Sequence, residues 1–96
     1  MDDTARARAV AALRFRALGD ETRLRLLELM VDAERSVAEL MELTGLGQSL
    51  VSHHLRTLRD AGLVVTRRDG RWVFYDLANG ALSSVRAVLA ALQPIA

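Results

Sequence analysis

A short polar series between residues 48 and 56 has the clearest chemical potential in this sequence. It combines amide, hydroxyl, imidazole and guanidinium groups: Gln48, Ser49, Ser52, His53 and Arg56. On a helix, at about 100° per residue, these side chains share one side, whereas Val51, Leu55 and Leu58 share the other. Such a polar face can enter the DNA major groove, where arginine reads guanine. The alternative is a polar face that is simply solvated.

A basic group follows, with Arg67, Arg68 and Arg71 around an Asp69-Gly70 pair. Asp-Gly between two β-prone runs is a strong hairpin signal. Like charges at a tight turn repel each other, and a DNA phosphate backbone or a narrow minor groove would neutralise them. We therefore expect these arginines to hold the DNA that flanks the site. The alternative is that they keep an edge strand from aggregating.

The register of the hairpin follows from its expected loop. With Asp69 and Gly70 as a two-residue loop, Arg68 is predicted opposite Arg71. Arg67 is then opposite Trp72, on which its guanidinium can stack.

Neither histidine indicates a metal site or a catalytic centre. His53 and His54 are adjacent, so on a helix they point about 100° apart and cannot chelate one ion. We expect His54 to be packed and hydrogen-bonded and His53 to be exposed. The chain has no cysteine, and it lacks a phosphate loop and a metalloprotease motif. The sequence therefore predicts no catalytic residue, no metal ligand and no cofactor.

Length and composition fit a single domain, residues 1–96. A hydrophobic content of 51% excludes a disordered chain, although the net charge is only +1. All 13 basic residues are arginine, the better bidentate phosphate donor, although a GC-rich genome would have the same effect. No apolar run approaches the ~18 residues of a membrane span, and the start of the chain does not resemble a signal peptide. We expect a cytoplasmic protein with no membrane partner.

Helices must position both the polar series of residues 48–56 and the arginines around Asp69-Gly70. Ser36 and Glu39 form a capping box, residues 32–35 form a turn, and Thr44–Gly47 is a tight turn with two glycines. Apolar spacing predicts helices at about 4–18, 21–31, 37–43, 48–60 and 80–92. The order predicts a mainly α protein with a small β-hairpin, a winged helix-turn-helix of five helices plus a wing.

The first helix is apolar on two sides, so it should pack on its own domain and on a second subunit. The last helix also carries an apolar strip. The candidate dimer residues are Val10, Leu13, Ala17, Leu82, Val85, Leu89 and Leu92.

Four segments resemble ArsR/SmtB-type repressors, and the resemblance covers about residues 10–77. They are ALGDETRLRLL from Ala17, LVSHHLRTL from Leu50, AGLV from Ala61 and RRDGRW from Arg67. The resemblance implies a homodimeric repressor, joined through its first and last helices, that binds double-stranded DNA at two-fold symmetric operators.

The departures from the family concern its metal sites. Ser36 and Ala38 stand where many members have cysteines, and residues 81–92 lack the Asp and His ligands that others have on the last helix. The family alone implies metal sensing, whereas these residues argue against it.

A further departure concerns a helix cap. Gly47 replaces the Ser or Thr often found at the cap of the recognition helix, at a cost of a few tenths of a kcal/mol in stability.

The sequence thus favours a DNA-binding regulator controlled by an unidentified small molecule or protein. Two alternatives stay open: a winged-helix protein-interaction module, and a metal-responsive repressor with an unusual site built from Asp2, Asp3 and a histidine.

Overall fold

The computed structural model describes residues 2–94. Within them, a small three-stranded sheet accompanies five helices, and together they confirm the predicted winged helix-turn-helix architecture. The elements are α1 (Asp3–Leu18), α2 (Glu21–Leu29), β1 (Arg35–Ser36), α3 (Val37–Thr44), α4 (Gln48–Asp60), β2 (Val64–Asp69), β3 (Trp72–Leu77) and α5 (Ala81–Ala91). In this part of the chain, no helix has both the length and the apolarity to span a bilayer.

Side-chain caps explain where the first three helices begin. The carboxylates of Asp2 and Asp20 accept hydrogen bonds from backbone N–H groups in the first turns of α1 and α2. Ser36 and Glu39 form the predicted capping box of α3. The helix bounds match the expected ones within about two residues. The largest difference is in α2, which ends at Leu29 because Met30 is already its C-cap.

The sheet contains a strand that the sequence did not predict. β3 pairs antiparallel with both other strands, in the order β1-β3-β2. Arg35 lies opposite Tyr75 and Ser36 opposite Phe74, so the end of the predicted 32–35 turn is extended. A strand of two residues has no periodicity that a sequence pattern could detect.

The predicted hairpin turn is misplaced by one residue, which shifts the cross-strand partner of each residue by two positions. Asp69 pairs with Trp72, so the turn is centred on Gly70 and Arg71 instead of Asp69 and Gly70. Gly70 has φ 59°, which glycine adopts readily at the first central position of a type II′ turn. Consequently Arg68 lies opposite Val73, and Arg67 lies opposite Phe74.

The core lies beneath α4 and fixes its orientation. Val51, Leu55 and Leu58 are completely buried. They pack with side chains from the other helices and the start of β2: Leu26, Met30, Leu40, Leu63 and Val64. Because one side of α4 is buried here, its other side must face solvent.

Candidate nucleic-acid interface

The outer face of α4 presents the polar series that the sequence predicts. The side chains of Gln48, Ser49, His53 and Arg56 are exposed, and Ser52 is half-buried. The only carboxylate of the helix is Asp60, at its C-terminal end. The structure therefore groups all five residues on one accessible and non-acidic surface. That they contact DNA stays a prediction.

The turn between α3 and α4 sets the angle at which α4 begins. The hydroxyl of Thr44 donates to the carbonyl of Leu40 at 2.6 Å and accepts from the N–H of Leu46 at 3.2 Å. Gly45 ends α3 in a left-handed conformation with φ 74°, whereas the N-cap, Gly47, is extended and offers no side-chain cap to α4. The uncapped N-terminus of α4 keeps its positive dipole end toward solvent.

His54, on the inner side of α4, is held by a network that the sequence did not reveal. Its Nδ1 lies 3.2 Å from Nη1 of Arg23. Arginine can only donate, so Nδ1 is the acceptor and the ring is neutral, with its proton on Nε2. Arg23 also donates through Nε to the carbonyl of Ala17 at 2.6 Å and through Nη2 to that of Arg16 at 3.3 Å. Arg23 thereby ties the C-terminal end of α1 to α4.

The residue His54 is 9% exposed. Burial lowers its pKa below the usual value; the Asp20 carboxylate opposes this effect, whereas electrostatic repulsion from Arg23 adds to the lowering. The sequence does carry a signal for Arg23. It lies three residues after the capping Asp20, within reach of the exposed carbonyls at the end of the preceding helix.

The three wing arginines have different surroundings. Arg68 and Arg71 are exposed near the tip. Arg67 instead stacks over Phe74, at 4.8 Å from the ring centroid, and forms an ion pair with Glu34. The predicted stacking of Arg67 on Trp72 is therefore wrong, and the shifted register is the reason. It is Arg71 whose guanidinium lies over Trp72, at 5.9 Å.

The candidate dimer residues separate into two groups. Val10, Leu13, Leu82, Leu89 and Leu92 are exposed apolar side chains on α1 and at α5. In contrast, Ala17 is 3% and Val85 5% exposed in the single chain. These two side chains pack inside the protomer. Their prediction as dimer contacts is therefore wrong, and they are core residues. An apolar groove of about 560 Å³ lies between α1 and α5, lined in part by Ala11, Phe15 and Val88.

Arg14 links this helix pair to α4. Its Nε donates to the carbonyl of Ala61, at the C-cap of α4, at 3.1 Å, and its Nη1 donates to the hydroxyl of Ser84 in α5 at 2.7 Å. The position of α4 thus depends on both terminal helices of the chain.

Metal-ligating side chains do not gather in the part of the chain that the structure describes. Among residues 2–94, no three His, Cys, Asp or Glu side chains are close enough together to hold an ion. The hydroxyl of Ser36, at one family cysteine position, accepts the capping hydrogen bond from the N–H of Glu39 at 3.2 Å. The residues present at that position therefore do not fit a thiolate metal site.

A tight turn before a helix with an exposed polar face, followed by a basic wing, defines a winged helix-turn-helix protein. The chain belongs to the ArsR family of bacterial regulatory proteins. The model of that family matches residues 20–66.

Two curated relatives and one solved structure illustrate the similarity. A probable mercury resistance operon repressor of Streptomyces lividans is 46% identical over 68% of this chain. The transcriptional activator HlyU of Vibrio cholerae is 39% identical over 88% of this chain and 76% of its own length. The homodimeric winged helix-turn-helix DNA-binding domain of Mb0332 from Mycobacterium bovis superposes with a TM-score of 0.80 at 28% identity, over 96% of this chain and 85% of that one. The match spans about half of the mercury repressor, 52% of its length.

Proposed function

We propose that this chain is a homodimeric DNA-binding regulator of transcription, in which α4 reads the major groove and the wing holds flanking phosphates. The observation that carries the proposal is the outer face of α4. It is accessible, rich in hydrogen-bond donors and free of carboxylates before Asp60. The names of the relatives, a DNA-binding domain among them, support it.

Within this face, Gln48, Ser49, Ser52, His53 and Arg56 are the proposed base-reading residues. The N-terminal part of a recognition helix makes most base contacts, and the polar series occupies that part of α4. Arg68 and Arg71 supply sequence-independent phosphate contacts.

The dimer is proposed to form through the exposed apolar residues of α1 and α5, so that two copies of α4 face two half-sites. A two-fold symmetric protein binds a two-fold symmetric operator. We further propose that the protein is a repressor released by a small molecule or a partner protein instead of a metal ion, because Ser36 and Ala38 replace the family's thiolates. A transcription assay on promoter DNA tests the sense of regulation, since the relatives include both a repressor and an activator.

The test is binding to DNA from upstream of its own gene, compared with a random duplex of equal length, at several salt concentrations. We expect preference for one sequence and affinity that falls steeply with salt. Arg56→Ala should weaken specific binding by ~1–3 kcal/mol if Arg56 contacts guanine. Arg25→Ala, on the exposed surface of α2, is the control with the same change in charge.

Arg68→Ala tests the wing separately. Loss of one phosphate contact should weaken operator and random DNA alike and reduce the log–log salt slope by about 0.9. Salt-independent binding, or no binding to any duplex, would contradict the proposed function and favour a protein-interaction module.

A further inference from the structure

Arg67 has an acidic partner in the folded chain. Its Nε donates to the two carboxylate oxygens of Glu34 at 3.2 and 3.0 Å, and its Nη2 donates to Oε1 of the same carboxylate. The third nitrogen, Nη1, lies 4.0 Å from Oδ2 of Asp69. Two edges of one guanidinium thus face carboxylates. The N–H groups on these edges are the donors that would otherwise bind a phosphate.

The path of the Arg67 side chain shows how this contact is held. Arg67 is on β2, whereas Glu34 directly precedes β1, and β3 lies between these two strands. The side chain crosses β3 by stacking on Phe74, the residue directly opposite Arg67 in the register. The guanidinium is therefore directed across the sheet, toward its β1 edge.

The ion pair persists over the ordinary pH range. The hydrogen bonds from Arg67 lower the pKa of the Glu34 carboxyl, and those to Glu34 raise the pKa of Arg67. Both groups consequently stay charged at neutral pH. Both side chains are also partly exposed, so a DNA phosphate that approaches the wing has to compete with a carboxylate already in place.

We propose that Glu34 holds Arg67 away from the DNA backbone, and so lowers the affinity of the protein for random DNA. Phosphate contacts position a protein without reading sequence, so removing one weakens binding to random DNA and to the operator alike. Glu34 thus lowers the sequence-independent part of the affinity without touching a base. The inference rests on the proposed function, and it changes one expectation from the sequence: Arg68 and Arg71, but not Arg67, bind phosphate.

The test is Glu34→Gln, which keeps the shape of the side chain and removes its charge. Binding to a random duplex should become tighter, and the log–log salt slope should steepen by about 0.9, the value for one added phosphate contact. Binding to the operator should tighten by a similar factor, because the added contact does not read sequence. Arg67→Met alone should leave the slope unchanged, whereas Arg68→Met should reduce it.

Two controls distinguish the effect of losing the Glu34–Arg67 ion pair from the effect of the change in net charge. Asp76→Asn removes one exposed carboxylate from β3 and should leave the slope as it is. In the double variant Glu34→Gln with Arg67→Met, the steepening should disappear. Exposed ion pairs contribute little to folding, so the variants should fold, which circular dichroism can verify.

An unchanged slope in Glu34→Gln, or weaker random binding, would show that Glu34 only braces the wing. A loss of slope in Arg67→Met would show that Arg67 binds phosphate despite Glu34. Either result leaves the proposed function intact, because that function fails only if the unaltered protein lacks salt-sensitive, sequence-preferring binding.

Discussion

At the scale of single residues, the features that matter most are contacts between groups distant in the sequence. Arg23 lies 31 residues before His54, and Arg67 lies 33 residues after Glu34. Both arginines were visible in the sequence as positive charges, but the sequence does not show which group each one meets. Arg23 ties α4 to the end of α1, whereas Arg67 pairs with a carboxylate across the sheet, so identical side chains have different consequences.

The buried neutral ring of His54 predicts a dependence of stability on pH. Its folded-state pKa is lowered, so the unfolded chain binds the proton more readily. The stability that neutral His54 contributes is complete above the pKa of the unfolded chain, about 6.5. It is lost as the pH falls from there through the lower pKa of the folded chain. Urea unfolding at pH 7.5 and pH 5.5 should show lower stability at the acidic pH.

His54→Gln is the matched variant, because its amide can still accept from Arg23 but does not titrate in this range. The difference in stability between the two pH values should shrink in this variant. An equal difference in both proteins would assign the pH dependence to other groups. Asp20, whose pKa is lowered chiefly by its hydrogen bond from the N–H of Arg23, loses its contribution only below its unfolded value near 4.

At the scale of elements, the two glycines of the helix-turn-helix should respond to substitution in opposite directions. Gly45 has φ 74°, and Gly47 has φ −76°; a Cβ at either position would meet no atom within 4 Å. Gly45→Ala should therefore destabilise the fold by about 1–2 kcal/mol through backbone strain alone. Gly47→Ser should stabilise it by about 0.5 kcal/mol, since it adds a cap and restricts the unfolded chain.

Urea midpoints of the two variants at pH 7.5 measure this contrast. Stabilisation of both, or destabilisation of both, would mean that the backbone at Gly45 is not left-handed or that at Gly47 is not extended.

The elements were largely predictable from the sequence because caps and glycines mark them locally. The capping box at Ser36 and the apolar period of α4 place α3 and α4 within a residue. The hairpin turn was misplaced because Asp-Gly and Gly-Arg are both acceptable two-residue loops, and pairing across the sheet decides between them. β1 was missed because only its pairing to β3 makes it a strand. The burial of Ala17 and Val85 depends on how α1 and α5 pack on the rest of the protomer, which periodicity within one helix does not specify.

At the scale of the whole molecule, the apolar residues left exposed on α1 and α5 predict self-association. Leu13 and Leu89 are 43% and 49% exposed in the single chain. Leu89→Glu should weaken the dimer at least about tenfold, because an unpaired charge buried in an interface costs several kcal/mol and ~1.4 kcal/mol corresponds to tenfold. Sedimentation velocity over a range of concentrations measures the effect.

Leu43→Glu is the control, since Leu43 is an equally exposed leucine, at 44%, but lies on α3. Loss of the dimer in both variants would indicate an interface elsewhere. Since the proposed operator has two half-sites and a monomer reaches only one of them, loss of the dimer should also weaken operator binding.

The single tryptophan, Trp72, is 55% exposed near the wing tip, with the guanidinium of Arg71 over its ring. Its fluorescence therefore reports on the wing rather than on the core. DNA that displaces Arg71 or excludes water from the indole should change the emission, so association can be followed without a dye. For the same reason, tryptophan emission is a poor monitor of global unfolding, since this indole is already about half exposed to solvent in the folded chain.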